Sequence, residues 1–118
     1  MTKMICFGGD CVTRIALAEH GSLLGTRWLG DKVRALIAAA VAEGPVDVDF
    51  AGVDLASESF MDEAFGKLTG EVSPSVLNER CRIVNANPTI LTMLRVAIRE
   101  RRRMRDLGGR PPAIATFR

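Results

Sequence analysis

Two serine hydroxyls and three carboxylates fall within seven consecutive residues, at Ser57, Glu58, Ser59, Asp62 and Glu63. A serine at the start of a helix can cap free backbone N–H groups. It can also carry a phosphate, whose charge is stabilised by those N–H groups and by the helix dipole. Glu58 and Asp62 could act in general acid–base catalysis only with a raised pKa and a substrate pocket, and the sequence indicates neither. We therefore expect no catalytic residues and no enzyme activity, and the phosphorylation candidates are Ser59 and Ser57.

A strand, a loop and a helix must position these side chains. Residues 46–50 alternate apolar side chains with aspartate, which is typical of a strand with one buried face. Gly52 breaks the alternation, and Ser59 precedes an apolar series, so we predict a helix over 60–69 capped by Ser59. In open α/β proteins a loop at this end of a strand is a usual binding site, and we expect other molecules to contact the protein here. The expected contact residues are Gly52, Asp54, Ser57, Glu58, Ser59, Asp62 and Glu63.

The whole chain alternates strands with helices. The predicted elements are strands 3–7 and 11–18, helix 27–43, strand 46–50, helix 60–69, strand 81–84 and helix 88–105. Thr26 and Asn87 are the expected caps of the first and last helices, and residues 71–79 are predicted to be a polar linker. The order β-β-α-β-α-β-α predicts an α/β fold with a single small mixed sheet. In that fold an N-terminal hairpin precedes parallel strands, and the helices pack on the sheet.

Length and composition are those of one small domain. A chain of 118 residues with 47% hydrophobic residues can build one core, and no apolar run reaches the ~20 residues that span a bilayer. We expect residues 1–107 to form the domain and residues 108–118 to be a flexible tail. With three cysteines, no CxxC spacing and one histidine, we expect free thiols, no metal and no cofactor, although Cys6 and Cys11 could face each other across the hairpin. These features predict a soluble, cytoplasmic protein without a membrane partner.

Positive charge is concentrated near the C-terminal end. Residues 95–118 hold eight arginines against two acidic residues, whereas residues 1–94 hold eight basic and twelve acidic residues. Three interpretations of these arginines are open. They could contact the phosphates of nucleic acid, dock on an acidic partner, or form a solvated helix end whose positive charge interacts favourably with the helix dipole. The candidate contact residues are Arg99, Arg101, Arg102, Arg103 and Arg105. The alternative function is therefore that of a nucleic-acid-binding accessory protein.

The residues around the loop form a motif with two parts, Asp49-Phe50-x-Gly52-Val53 and Ser59-Phe60-x-Asp62-Glu63-x-x-Gly66-x-Leu68. Supporting stretches are Gly25-Thr26-Arg27 with Arg34, and Arg82-Ile83-Val84-Asn85. Together, over residues 10–105, these features resemble the STAS-like bacterial domains of unknown function, the DUF4325 group.

STAS domains proper include the anti-sigma-factor antagonists, which are similar in having a strand, an Asp-Ser-Ser-Gly loop and a helix. In that family a loop serine is phosphorylated by a histidine-kinase-like ATPase, and this controls partner binding. Without gaps, Ser57 falls on the family's Asp, Glu58 on its first Ser, Ser59 on its second Ser and Phe60 on its Gly. The resemblance implies a STAS-like fold and a non-enzymatic bacterial regulatory module that binds a protein partner of the ATPase or kinase type.

Overall fold

Strands and helices alternate along the chain, as the sequence predicts. The computed structural model describes residues 2–7 and 10–106, so the predicted tail 108–118 lies outside the described residues. The strands are β1 Thr2–Phe7, β2 Asp10–Ala16, β3 Leu23–Leu24, β4 Val46–Asp49, β5 Leu55–Ala56 and β6 Cys81–Val84. The helices are α1 Arg27–Glu43, α2 over 58–71, α3 Pro74–Arg80 and α4 Pro88–Asp106, and a 3-10 turn, Leu17–His20, follows β2.

Four strands form the predicted mixed sheet, in the order β1-β2-β4-β6. β1 and β2 are an antiparallel hairpin, whereas β2, β4 and β6 run parallel. The register places Val48 between Ile15 and Ile83, so apolar side chains of three strands share one face. The α/β fold, with an N-terminal hairpin, parallel strands and packed helices, is therefore confirmed.

The helices pack on the apolar face of the sheet, and α2 lies between α1 and α4. Phe65 of α2 joins the layers, since its ring centroid lies 5.9 Å from that of Phe50 and 6.4 Å from that of Phe60. All three rings are buried, and burying a side chain of this size contributes about 2–3 kcal/mol. The loop between β4 and α2 therefore begins and ends in the core.

Two of the three predicted helix caps, Thr26 and Asn87, are confirmed. Thr26 Oγ1 accepts a hydrogen bond from the N–H of Leu29 at 3.1 Å, and α1 begins at the next residue. Asn87 Oδ1 accepts one from the N–H of Ile90 at 2.8 Å, at the start of α4. Both caps satisfy backbone donors that have no partner within the helix.

A second, two-stranded parallel sheet of β3 and β5 was not predicted. Leu23 pairs with Leu55 and Leu24 with Ala56; the first pair is exposed and the second buried. Strands of two residues are too short for an alternating pattern to be visible in the sequence. This small sheet ties the loop after β4 to the segment before α1.

The prediction of a linker over 71–79 was wrong, because this stretch contains α3. Ser73 caps the helix by accepting a hydrogen bond from the N–H of Val76 at 3.4 Å, and Pro74 occupies its first position. Arg80 Nη1 donates to the carbonyl of Val41 at 2.8 Å, which attaches the end of α3 to the end of α1. A seven-residue helix is too short to be stable alone, so this tertiary contact supports a helix that local propensity does not.

The prediction of free thiols holds for Cys81 and was wrong for Cys11. Cys6 and Cys11 are partners in the register of the hairpin, and Cys11 is disulfide-bonded. Cys81 is a free, half-buried thiol, and burial together with the charge of Asp47 raises its pKa to about 11. It therefore stays protonated at neutral pH and is a poor nucleophile.

Gly30 allows α1 to approach α2 closely. A Cβ at this position would lie 2.8 Å from Glu63 Cβ and 2.9 Å from the carbonyl oxygen of Phe60. Both distances are too short for real contacts, so the helix spacing requires glycine here.

We expect Gly30→Ala to lower the free energy of unfolding by about 2 kcal/mol, because the added methyl group must push the two helices apart. This loss exceeds the helix-propensity gain of up to about 1 kcal/mol. Urea denaturation followed by circular dichroism measures the change. Gly25→Ala is the control, since a Cβ there meets no atom within 4 Å; equal stabilities of the two variants would contradict the close packing.

Candidate functional site

The loop between β4 and α2 is held by hydrogen bonds from two other segments. The N–H of Asp54 donates to the carbonyl of Ser22 at 2.9 Å, and that of Ser57 donates to the carbonyl of Leu24 at 2.8 Å. From the N-cap position of α4, the side-chain amide of Asn87 donates to the carbonyl of Asp54 at 3.1 Å. These bonds attach the loop to the segment before α1 and to the start of α4.

Ser57, and not Ser59, is the N-cap of α2. The Ser57 hydroxyl oxygen accepts from the N–H of Phe60 at 3.0 Å, and the hydroxyl donates to the carbonyl of Gly25 at 3.1 Å. The prediction that Ser59 caps the helix was wrong, because bonds to the β3 segment hold Ser57 in the extended conformation of a cap and the helix begins at Glu58. Ser59 is half-buried in the first turn, and its hydroxyl has no hydrogen-bond partner among the described residues.

The predicted partner-binding residues differ in exposure. Exposed residues are Gly52, Asp54 and Glu58; half-buried residues are Ser57, Ser59 and Asp62; and Glu63 is buried. The segment is therefore not sealed inside the core, but its accessible part is the loop and the first turn of α2. Gly52 has a φ of 84°, a turn conformation that favours glycine.

A groove of about 390 Å³ separates the start of α2 from α4. It is lined by Arg27, Glu58, Ser59, Met61, Asp62, Thr92, Met93, Val96, Ala97 and Glu100. Val96 is 46% exposed, so the apolar part of the groove is accessible. Half of the lining comes from α4, and sequence reasoning on the loop alone did not find those residues.

The middle of α2 is a π-helical turn that carries two of the predicted site residues. α-Helical segments Glu58–Met61 and Leu68–Glu71 flank π-helical Asp62–Gly66, and the N–H of Lys67 donates to the carbonyl of Asp62 at 2.9 Å. π-Helical turns are often found at functional sites. Here the turn presents Asp62 towards α4 and Glu63 towards α1.

Asp62 connects α2 to both neighbouring helices. Arg101 of α4 binds it with two hydrogen bonds, from Nε to Oδ1 at 2.6 Å and from Nη2 to Oδ2 at 2.8 Å. Arg27 of α1 donates to Oδ2 at 3.0 Å. The hydrogen bonds from Arg101 and then Arg27 lower the pKa of Asp62, against the opposite effect of burial.

Glu63 is the buried centre of the network. Its carboxylate accepts from Arg27 at 3.1 Å and from Arg34 and Lys67 at 3.0 Å each. Burial alone would raise its pKa, but the three hydrogen bonds outweigh that effect and lower the pKa to about 2. Arg34 also donates to the backbone carbonyl of Glu63 and pairs with Glu71 at 3.2 Å. Both carboxylates are thus engaged inside the molecule, and their contact with a partner stays a prediction.

A second polar cluster holds the ends of two parallel strands. Arg14 donates to Asp49 Oδ2 at 2.9 and 2.6 Å, and the side chain of Asn85 and the N–H of Ala51 each donate to Oδ1 at 2.9 Å. Burial opposes ionisation of Asp49, but the bonds from Asn85, Ala51 and Arg14 prevail and lower its pKa. Asn85 has a φ of 59°, and its bond to Asp49 stabilises this uncommon backbone. Asp49 and Asn85, two residues of the motif, therefore have structural roles.

The predicted nucleic-acid contact residues fall into two groups. Arg101 is bound to Asp62, Arg103 lies 3.9 Å from Glu100, and Arg105 lies over Gly70 of α2. Arg99 and Arg102 are exposed and form no ion pair with any described residue. Nucleic-acid binding by these side chains stays a prediction.

The part of the chain that the structure describes contains no group of three histidine, cysteine or acidic side chains placed to hold a metal ion. Nor does any helix within residues 2–7 and 10–106 have the length and apolar character of a membrane span.

The pH dependence of stability tests whether the buried carboxylate of Glu63 is ionised and ion-paired in the folded protein. The folded pKa of Glu63, about 2, is below its ordinary value of 4.5. The stability it provides is therefore fully present above pH 4.5 and is lost as the pH falls towards 2. We expect the urea midpoint of Glu63→Gln to fall less steeply than that of the wild type across this window. At pH 7 we expect its free energy of unfolding to be lower by about 3 kcal/mol. Glu58→Gln is the exposed control, and a wild-type pH profile for Glu63→Gln would contradict the assignment.

Neighbouring arginines on α4 provide a matched pair of variants. Arg101→Gln removes two charge-assisted hydrogen bonds to Asp62, so we expect a loss of about 2 kcal/mol in the free energy of unfolding. Arg102→Gln removes the same charge from an exposed position and should change stability by less than about 0.5 kcal/mol. Thermal and urea denaturation distinguish them, and similar losses would show that Asp62 does not hold α4.

Comparison with known proteins agrees with this architecture. The model of a family described as a STAS-like domain of unknown function (DUF4325) matches residues 30–91, more than half of the chain. The match includes all but the first three residues of α1, the loop, α2 and β6, and with them Ser57, Ser59, Asp62 and Glu63. Neither a curated protein nor a solved structure matched the chain. The chain therefore belongs to the family of STAS-like domains of unknown function.

Proposed function

We propose that the protein is a non-enzymatic bacterial regulatory module that binds a partner protein through the loop at residues 52–59, the first turn of α2 and the adjoining groove. The observation that carries the proposal is the groove itself. It combines accessible apolar side chains with a polar rim that includes Glu58 and Ser59. Apolar contact surrounded by polar residues is the usual composition of a protein-binding surface.

The rigidity of the loop supports this proposal. Hydrogen bonds from the β3 segment and from α4 hold the loop, and the ion pairs of Asp62 and Glu63 hold α2 between its neighbours. A surface ordered in advance loses little conformational entropy on binding. Leu23 and Leu55, which are 64% and 55% exposed and directly paired, add apolar surface beside the loop.

The resemblance to anti-sigma-factor antagonists suggests a histidine-kinase-like ATPase as the partner and Ser59 as the serine that it phosphorylates. The Ser57 hydroxyl is engaged in two hydrogen bonds, whereas that of Ser59 has no hydrogen-bond partner among the described residues and lines the groove. Glu58, Asp62 and Glu100 line the same groove. A phosphate would add roughly −1.5 to −2 charges beside these carboxylates, so modification would weaken binding of an apolar or acidic partner segment.

Partner binding is tested with full-length protein and a kinase-like ATPase encoded beside its gene, by isothermal titration calorimetry. We expect Val96→Gln to weaken the complex at least tenfold, because it places an amide in the apolar part of the groove. Met4→Gln is the control, since Met4 is 63% exposed and lies on β1, away from the groove. Equal affinities of the two variants would overturn the groove as the binding surface.

Phosphorylation is tested separately by incubating the protein with the same ATPase and ATP and measuring intact mass. We expect the mass of one phosphoryl group to be added to the wild type and to Ser57→Ala, and not to Ser59→Ala. Ser57→Ala removes the cap and should cost about 1 kcal/mol, so its folding is checked by circular dichroism. Modification of Ser59→Ala, or none of the wild type, would refute the serine switch while leaving the groove test unaffected.

A further inference from the structure

Three arginines of α4 have no internal role in the part of the chain that the structure describes. Arg95, Arg99 and Arg102 are exposed, and none of them forms an ion pair or hydrogen bond with a described residue. In contrast, Arg101, two positions after Arg99, is bound to Asp62. The structure therefore separates Arg101 and Arg103, which form ion pairs, from these three, which are available to a ligand.

These three side chains form a straight row, which we call the arginine row. Their spacing of four and three residues places them within an arc of roughly 60° on the helix and over about 10 Å of its length. The surface beside the row is open and is formed by α4 alone, through Arg95, Ile98, Arg99, Arg102, Arg103 and Asp106. The opposite side of α4 is buried in the core through Ile90, Leu94 and Ala97, so the helix cannot rotate the row away from solvent.

The helix dipole does not account for the arginine row. α4 ends at Asp106, and Arg95 and Arg99 lie well before the last turn, where the favourable effect on cations is confined. Like charges at positions i and i+4 destabilise a helix by about 0.2–0.5 kcal/mol. The row thus carries a cost to the free protein that an anionic ligand would remove.

We propose that the arginine row binds the phosphate backbone of double-stranded nucleic acid, without sequence preference. A linear row of guanidinium groups matches the linear array of charges along a duplex, and arginine binds phosphates with paired hydrogen bonds. Binding of single strands usually needs exposed aromatic side chains for base stacking. Among the described residues the exposed aromatic side chain is Trp28, which lies on α1 rather than beside the row.

Two other anionic partners fit less well. An interfacial membrane helix needs a free apolar face, whereas the apolar face of α4 is buried in the core. A protein interface usually has an apolar centre, whereas the row offers only the half-buried Ile98 between its arginines. The row contains no residue of the groove proposed above, so the two proposals can fail independently.

The test measures anisotropy of a fluorescent mixed-sequence duplex DNA with the full-length protein at 50 to 200 mM KCl. Three phosphate contacts predict that affinity falls by at least about 40-fold across this range. In Arg95→Gln/Arg99→Gln, removal of two contacts should lower the magnitude of the slope of log K against log salt by about 2. Lys32→Gln/Arg82→Gln removes the same charge from exposed positions on α1 and β6 and should keep the wild-type slope.

Phosphatidylserine vesicles and polyglutamate, each at the same charge concentration as the duplex, are the competing ligands. Weaker binding of both than of duplex, together with the smaller slope of the row variant alone, supports the proposal. Equal slopes of the two double variants, no binding of duplex at 50 mM KCl, or tighter binding of vesicles or polyglutamate would overturn it.

Discussion

The buried carboxylate of Glu63 and its three cationic partners fix the arrangement on which the rest of the structure depends. Arg27 and Arg34 reach it from α1 and Lys67 from α2 itself. Loss of one partner from a buried ion pair leaves an uncompensated charge, which usually costs several kcal/mol. On the adjacent side of α2, Asp62 is bound by Arg101 of α4. Together these ion pairs resist the separation of α1, α2 and α4.

The same network decides which residues remain for recognition. Ser57, Asp62 and Glu63 use their side chains to cap α2 and to hold its neighbours. Glu58 and Ser59 are left at the rim of the groove, where they have no such internal role among the described residues. Residues 57–63, which the sequence predicts to be one acidic, hydroxyl-rich site, therefore have mostly structural roles. The side chains that remain for contact with a partner are those of Glu58 and Ser59.

α4 contributes to both proposed surfaces without using the same residues. Met93 and Val96 line the groove, whereas Arg95 and Arg99 belong to the arginine row. Because Ile90, Leu94 and Ala97 anchor the helix in the core, each surface keeps its position relative to the sheet. The bond between Arg101 and Asp62 adds a connection from this helix to the first turns of α2.

The sequence by itself determined the elements whose signals are local. The alternation at 46–50, the apolar stripe of α1 and the capping residues Thr26 and Asn87 were each sufficient to place a strand or a helix start. They also indicated the mixed sheet, whereas the family was indicated by the resemblance of the two-part motif at residues 49–68. The position of the candidate site followed from them, because a loop after a buried strand must emerge at the sheet edge.

Only the tertiary structure decided which polar side chains are engaged. Ser57 rather than Ser59 caps α2 because the β3 segment, far away in the sequence, holds its backbone. Arg101 forms an ion pair and Arg102 does not, because Asp62 of another helix lies beside Arg101. The short helix α3 depends on a hydrogen bond from Arg80 to the end of α1. Periodicity and propensity describe neighbours along the chain, whereas burial and ion pairing depend on neighbours in space.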